Sequence, residues 1–91
     1  MLRLYIAGNS ASSRRAEQNL ARLQKYMKAG EWKIEVIDVL LVPELAEKAG
    51  ILATPTLSFD RSDRPRRIVG DLGDIRRVLD FLGIEPNGDI P

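Results

Sequence analysis

A proline at the head of an apolar strand pattern is the feature that most restricts how this chain can fold. The stretch Ile51–Leu57 is apolar and follows a short helix pattern that closes on Gly50. Pro55 has no N–H to donate to a sheet ladder, so the strand must begin at or after it. A Thr-Pro bond prefers trans by only about 0.5 to 1 kcal/mol, so a cis bond at this strand entrance would cost little.

The N-terminal half of the chain alternates strand and helix patterns. Leu2, Leu4 and Ile6 alternate with other residues, as in a strand that ends near Gly8. From Ser12 to Lys28 apolar residues recur at helical spacing, with Asn9 or Ser10 as the cap and Gly30 as the stop. The run from Trp32 to Val39 predicts a second strand, which its continuous apolar end places at the centre of the sheet.

The C-terminal half predicts a helix, a hairpin and a final helix. Pro43 suits the first position of a two-turn helix that stops at Gly50. Strands follow at Thr56–Phe59 and Pro65–Gly70, joined by a polar turn from Asp60 to Arg64. Asp71 or Asp74 caps a last helix that runs to Leu82 and closes on Gly83. The predicted order is therefore βαβαββα.

The composition predicts one small domain that lacks two of the common catalytic residue types, cysteine and histidine. The 91 residues contain no cysteine and no histidine, which removes thiol and imidazole catalysis, disulfides and the usual zinc sites. The acidic pairs Glu44 with Glu47 and Asp71 with Asp74 fall in first helical turns, where acids complement the helix dipole without catalytic work. We therefore expect no catalytic residue, no cofactor and no metal.

Charge and hydropathy also limit the expected partners and location. The net charge of +1 favours neither nucleic acid nor an anionic membrane. No apolar run reaches the roughly 18 to 20 residues that span a bilayer, and the apolar start is too short for a signal peptide. We expect a cytoplasmic protein with one domain over residues 1–84 and a flexible tail over residues 85–91.

With these elements in place, the chain resembles thioredoxin-like folds and, more specifically, the KaiB family of circadian clock proteins from cyanobacteria and other bacteria. The predicted fold class is thus α/β, with a thioredoxin-like mixed sheet, and the placement of Pro55 matches the cis-proline of that fold, so the resemblance implies a cis Thr54–Pro55 bond. The motifs that carry the resemblance span Leu2 to about Leu82: Leu4-Tyr5-Ile6-Ala7-Gly8-Asn9, Val36-Ile37-Asp38-Val39-Leu40, Pro43-Glu44-Leu45-Ala46-Glu47, Ile51-Leu52-Ala53-Thr54-Pro55-Thr56-Leu57 and Arg66-Arg67-Ile68-Val69-Gly70-Asp71-Leu72.

The resemblance implies a clock regulator that is not an enzyme. Proteins of this family bind the hexameric ATPase KaiC through a monomeric thioredoxin-like state, sequester KaiA and displace the sensor domain of the kinase SasA. A second fold, with a rearranged C-terminal half and often tetrameric, is the ground state of relatives. No nucleic acid or membrane partner is implied.

The resemblance also assigns roles to residues of this chain. Partner contacts fall on Arg15, Trp32, Lys33, Glu35, Arg66 and Arg67. Roles in the structure or in fold switching fall on Gly8, Thr54, Pro55, Pro65, Gly70 and Asp71. The pair Gly8-Asn9 occupies the loop where thioredoxin carries its cysteines. On a strand, Arg66 and Arg67 point to opposite faces, so the two cannot make the same contact.

One departure from the family pattern concerns the resting fold. Relatives carry a proline-rich run before the two arginines, whereas this chain has Ser62-Asp63-Arg64 and keeps only Pro65. Together with the strong hairpin and helix signals that follow, this loss favours a thioredoxin-like monomer as the resting state. A tetramer in the alternative fold stays open.

Two other functions are compatible with the sequence. One is a standalone relative of the kinase sensor domain. The other is a thioredoxin-like enzyme or glutathione-binding protein without cysteines, in which Ser10, Ser12 or Ser13 would bind a thiolate. Helix capping is the competing interpretation of these serines and the one we favour. Trp32 and Tyr5 are likewise compatible with ordinary packing, and Asp38 with a turn.

Overall fold

The structure is a computed structural model, and it describes residues 1–28, 30, 32–61 and 64–85. Its elements are β1 (Leu2–Ile6), α1 (Ala11–Leu23), β2 (Ile34–Asp38), α2 (Pro43–Ala49), β3 (Thr56–Arg61), β4 (Arg64–Val69) and α3 (Ile75–Leu82). This is the predicted order. No helix among these residues is long and apolar enough to cross a membrane.

The four strands form one mixed sheet in the order β2-β1-β3-β4. Strand β1 runs parallel to β2 and antiparallel to β3, and β3 pairs antiparallel with β4. The prediction that β2 is central was wrong: β1 is flanked on both sides, and β2 lies at an edge. The apolar run of β2 wrongly indicated a strand buried on both faces, because Val36 in this edge strand is 48% exposed.

The main core lies between one face of the sheet and the helices α1 and α3. Leu2, Leu4 and Ile6 of β1 enter it, as their alternation predicts, and meet Leu20 of α1 and Leu79 of α3. The opposite face of the sheet lies towards α2. Tyr5, only 2% exposed, is on that face, so β1 is buried on both sides, as suits an inner strand.

The first helix is shorter than the sequence predicts. Ser10 caps it by accepting a hydrogen bond from the Ser13 amide at 3.3 Å, as expected. It ends at Leu23 rather than Lys28, because Gln24–Tyr26 tighten into a 3-10 turn and Met27 is extended. The extended backbone still keeps the Met27 side chain in the core, 7% exposed. Gly30 therefore does not end the helix.

The predicted signals around the other helices are mostly confirmed. Pro43 begins α2, and Gly50 closes it in the left-handed conformation with φ 69°. Asp74 caps α3 by accepting from the Arg77 amide at 3.2 Å, and Gly83 ends it. We had expected Asp71 in the first turn of α3, but it lies before the helix, in the connection from β4.

The C-terminal half also has the predicted hairpin and the predicted proline isomer. The Thr54–Pro55 bond is cis. The hairpin strands extend further than predicted, to Arg61 and from Arg64, so Asp60 and Pro65 pair within the sheet. The rest of the predicted turn, Ser62 and Asp63, lies outside the described residues, as does the tail from residue 86 onward.

Candidate protein-binding surface

One end of the sheet, where strands begin or finish, gathers most of the residues to which the resemblance assigns structural or switch roles. Gly8 follows β1, Pro55 precedes β3, and Gly70 and Asp71 follow β4. The antiparallel pairing of β3 with β1 and β4 brings these ends together, and the Gly70 amide donates to the Pro55 carbonyl at 3.0 Å. We call the segment from Gly70 to Asp74 the β4–α3 connector.

The connector is tied to α1 by an ion pair that joins a predicted partner contact to a predicted switch residue. The Arg15 Nε donates to Asp71 Oδ2 at 3.1 Å, and the Gly73 amide donates to Asp71 Oδ1 at 3.0 Å. The hydrogen bond from Arg15 is the main reason that the pKa of Asp71 is lowered from 3.8, with the Gly73 amide adding to it. Asp71 is therefore held as a carboxylate.

Two further residues that hold the connector, Asn19 on α1 and Leu72 within the connector, were missed by the sequence reasoning. The Asn19 side-chain amide donates to the Asp71 carbonyl at 2.7 Å. Leu72 is the one non-glycine residue with positive φ among those the structure describes, at 64°, yet it is 4% exposed in the core. Only the position of Asn19, four residues after Arg15 and so on the same face of α1, offered a sequence signal.

The loop after β1 is fixed by a carboxylate from β2. The Gly8 amide donates to Asp38 Oδ1 at 3.1 Å, and the Leu40 amide donates to the same oxygen at 2.9 Å. Asp38 thus turns the chain toward α2, as we had expected. Gly8 has φ 56°, and a Cβ there would come within 3.1 Å of Leu40 Cδ1, so glycine suits this close approach.

The serines near the start of α1 have structural partners. Ser10 donates to Ser13 Oγ at 2.8 Å, and Ser13 Oγ also accepts from the Ala7 amide at 3.0 Å while fully buried. These contacts hold the end of β1 to the start of α1. They favour the capping interpretation over thiolate binding for Ser10 and Ser13; Ser12 is half-buried.

The predicted contacts at the start of β2 differ in exposure. Trp32 is half-buried, and its ring lies 5.2 Å from that of Phe59, so it packs on the core. Lys33 is exposed. Glu35 is exposed on the opposite face of the sheet, with its carboxylate 3.6 Å from the Arg3 guanidinium.

The two neighbouring arginines of β4 point to opposite faces, as predicted. The Arg66 guanidinium lies 5.0 Å from the centre of the Phe81 ring, on the α3 side. The Arg67 guanidinium donates to the Ala49 carbonyl at the end of α2, on the other side. Both side chains are exposed and both have a partner within the chain.

The structure therefore does not unite the predicted partner contacts into one patch. The β2 group and the β4 group lie at opposite edges of the sheet, with β1 and β3 between them. Arg15 lies at the end of the sheet where β4 finishes. Phe59 lies between Trp32 and Arg66, because its ring packs on Trp32 and its backbone pairs with Arg66 across the β3–β4 ladder.

Three exposed leucines around α2 were also not predicted. Leu40, Leu41 and Leu52 are 69%, 79% and 98% exposed. They belong to the two connections that flank α2. Leu40 and Leu41 are neighbours in the chain, and adjacent exposed apolar side chains occur at contact surfaces, but apolar runs in a sequence do not distinguish them from core residues.

Comparisons with known proteins agree with this fold. The KaiB domain family matches residues 3–84. A circadian clock oscillator protein KaiB from Parasynechococcus marenigrum is 48% identical over 79 residues, which cover 87% of this chain and 76% of the relative. The N-terminal domain of Synechococcus elongatus SasA is similar in structure, with a TM-score of 0.69 and 22% identity over 98% of this chain and 87% of that one.

Thioredoxins share the fold as well. The germline-specific thioredoxin Deadhead from Drosophila melanogaster has a TM-score of 0.72 and 21% identity, over 90% of this chain and 76% of that one. At such identities these two structures establish the fold alone, and the thioredoxin-like fold class is confirmed. The family match over residues 3–84 establishes more: the chain belongs to the KaiB family.

Proposed function

We propose that this protein is a non-enzymatic clock regulator that binds the KaiC ATPase ring in its thioredoxin-like state. One observation carries the proposal: a chain of the KaiB family has the fold that the SasA N-terminal domain also has. Two proteins of one shape are suited to compete for one docking site. Competition with SasA therefore forms part of the proposal.

The outer strand β2, which follows the predicted contact Trp32 and contains Glu35, offers an edge for docking on KaiC, and sequestration of KaiA is a further part of the proposal. Strand β2 pairs on one side only, with β1, so the hydrogen-bonding groups along its other side face outward among the described residues. An extended strand of a partner could add to this edge. The exposed side chains of Lys33 and Glu35 lie beside it.

The absence of enzymatic activity is also a proposal. The chain has no cysteine or histidine, and the hydroxyl groups of Ser10 and Ser13 are engaged in holding α1 to β1. We propose in addition that residues 1–84 form a single domain, and that the protein acts in the cytoplasm as a monomer. A thiol-exchange or glutathione-conjugation assay with detectable turnover would overturn the non-enzymatic part.

The test is complex formation with a KaiC hexamer in the presence of ATP, compared for wild type, Arg66→Glu and Arg67→Glu. Because the two guanidinium groups lie on opposite faces of β4, one docking face uses only one of them. We expect one variant to weaken binding by at least about tenfold and the other to change it much less.

Arg76→Glu is the matched control, because it makes the same charge change at an exposed position of α3. Circular dichroism of each variant separates lost binding from lost folding. Unchanged binding in both β4 variants would refute their assignment as contacts. No complex between wild-type protein and KaiC would refute the proposed function itself.

A further inference from the structure

Arg15 is held in place from one side and open on the other. Its Nε donates to Asp71 Oδ2, while its two terminal nitrogens have no partner in the described part of the chain. The side chain is 56% exposed. A guanidinium fixed through Nε presents its terminal pair of N–H groups as a fork, the geometry that binds a carboxylate with two hydrogen bonds.

The carboxylate that fixes Arg15 is itself fixed from three directions. The Gly73 amide binds the second oxygen of Asp71, and Asn19 binds its carbonyl. The neighbouring Leu72 anchors the connector in the core, where it is 4% exposed. Asp71 is therefore a rigid support, although its side chain lies at the surface.

Asn19 connects this support to a second arginine on the same stripe of α1. Arg15, Asn19 and Arg22 are spaced at i, i+4 and i+7, and Arg22 Nη1 donates weakly to Asn19 Oδ1 at 3.4 Å. The helical rise separates the two arginines by about 10 Å along the axis. Two guanidinium groups at this spacing suit two carboxylates on a protein surface.

We propose that Asp71 and Asn19 are positioning residues that pre-organise Arg15, a partner contact implied by the resemblance, for a carboxylate of an acidic partner surface, and that Arg22 is a second contact. The proposal rests on the proposed function, because the partner surface is that of the KaiC ring. A carboxylate fits better than a phosphate, since the nearby charge of Asp71 already offsets that of Arg15 and would repel a doubly charged anion.

The first experiment needs no partner. In ¹⁵N-detected NMR of the free protein, the Arg15 Nε–H should exchange with water more slowly than that of Arg14, whose side chain has no partner within the described residues. Asp71→Asn and Asn19→Ala should each reduce this difference, and Gln18→Ala, a neighbouring exposed position, should not. Equal exchange at Arg15 and Arg14 in the wild type would overturn the positioning.

The second experiment measures affinity for the KaiC hexamer with ATP. Asp71→Asn and Asn19→Ala should each weaken binding by about two- to fivefold, the range of one exposed ion pair. Asp80→Asn is the control for Asp71→Asn, because it removes one exposed carboxylate of α3 and should not weaken binding. In an Arg15→Gln background, neither positioning variant should weaken binding further.

The possible outcomes separate the two proposals. If wild type binds but Asp71→Asn binds equally well or more tightly, Asp71 does not position Arg15 for the partner. If the losses add to that of Arg15→Gln, the residues act independently. Inhibition of the complex by inorganic phosphate at low concentration, at matched ionic strength, would show that the site prefers phosphate. If the wild-type protein does not bind KaiC, the proposed partner is refuted. The NMR comparison of Arg15 with Arg14 tests the positioning independently of that result.

Discussion

Leu72 combines a backbone conformation that leucine rarely adopts with a side chain buried in the main core. Its φ of 64° lies in the left-handed region, where a residue with a Cβ costs roughly 1 to 2 kcal/mol more than glycine. Burial of the leucine side chain offsets that cost. The two contributions act on the same residue and can be separated by comparing alanine with glycine.

We predict that Leu72→Ala lowers the free energy of unfolding by about 2 to 4 kcal/mol, because a buried leucine is lost. Leu72→Gly should be no less stable than Leu72→Ala, the reverse of the usual order, because glycine relieves the positive φ. Urea denaturation measures both. Leu52→Ala, at a position 98% exposed, is the control and should change the value by less than about 0.5 kcal/mol. Alanine clearly more stable than glycine at 72 would contradict this account.

Asp71 supplies a prediction on pH. Its pKa in the folded protein is lowered from 3.8, first by the hydrogen bond from Arg15. The contribution of Asp71 to stability is therefore complete above about the unfolded value and is lost as the pH falls through the lowered folded pKa. An NMR titration of its carboxyl carbon should give a midpoint below 3.8. Arg15→Gln should raise the midpoint, and Arg14→Gln should not. A midpoint insensitive to Arg15→Gln would show that another group lowers the pKa.

The elements show which parts of the fold were predictable from sequence. The order of strands and helices follows from local patterns of apolar, capping and proline residues and is confirmed. Of the two cap candidates predicted for each helix, the structure has Ser10 and Asp74. The cis Pro55, which the thioredoxin-like resemblance implies, is also confirmed. The edge position of β2 could not be predicted, because it depends on the pairing of β1 with β3, which is distant in the chain. Local sequence patterns do not indicate which strands pair.

The candidate surface was less predictable for the same physical reason. Arg15 and Asp71 were each singled out, but their ion pair joins residues 56 positions apart in the chain. The resemblance assigned one residue to a partner and the other to the fold switch, and the structure places the two in contact. The separation of the β2 and β4 groups is likewise set by the order of strands.

At the level of a single element, α3 depends on its cap. We predict that Asp74→Ala lowers the free energy of unfolding by about 0.5 to 2 kcal/mol, since the Arg77 amide loses its acceptor. Chemical denaturation gives the value, and Asp80→Ala within the same helix should change it by less than about 0.5 kcal/mol. Similar losses in the two variants would mean that the cap at Asp74 contributes little.

At the scale of the whole molecule, the account depends on which of two arrangements the C-terminal half adopts. The radius of gyration of 12.7 Å is close to the roughly 12 Å expected for a compact chain of this length. The hairpin of β3 and β4 and the helix α3 together bury Leu57, Val78 and Leu79. If the C-terminal half adopted the alternative fold, these three side chains would have to pack against different neighbours.

NMR of the free protein in solution distinguishes the two arrangements of the C-terminal half. For a thioredoxin-like resting state we expect strand chemical shifts over residues 56–61 and 64–69, helical shifts over 75–82, and cross-strand contacts between the paired residues Leu57 and Ile68. Light scattering on the same sample should give the mass of a single chain. Helical shifts between residues 50 and 70, or strand shifts between 75 and 82, would contradict a thioredoxin-like resting state.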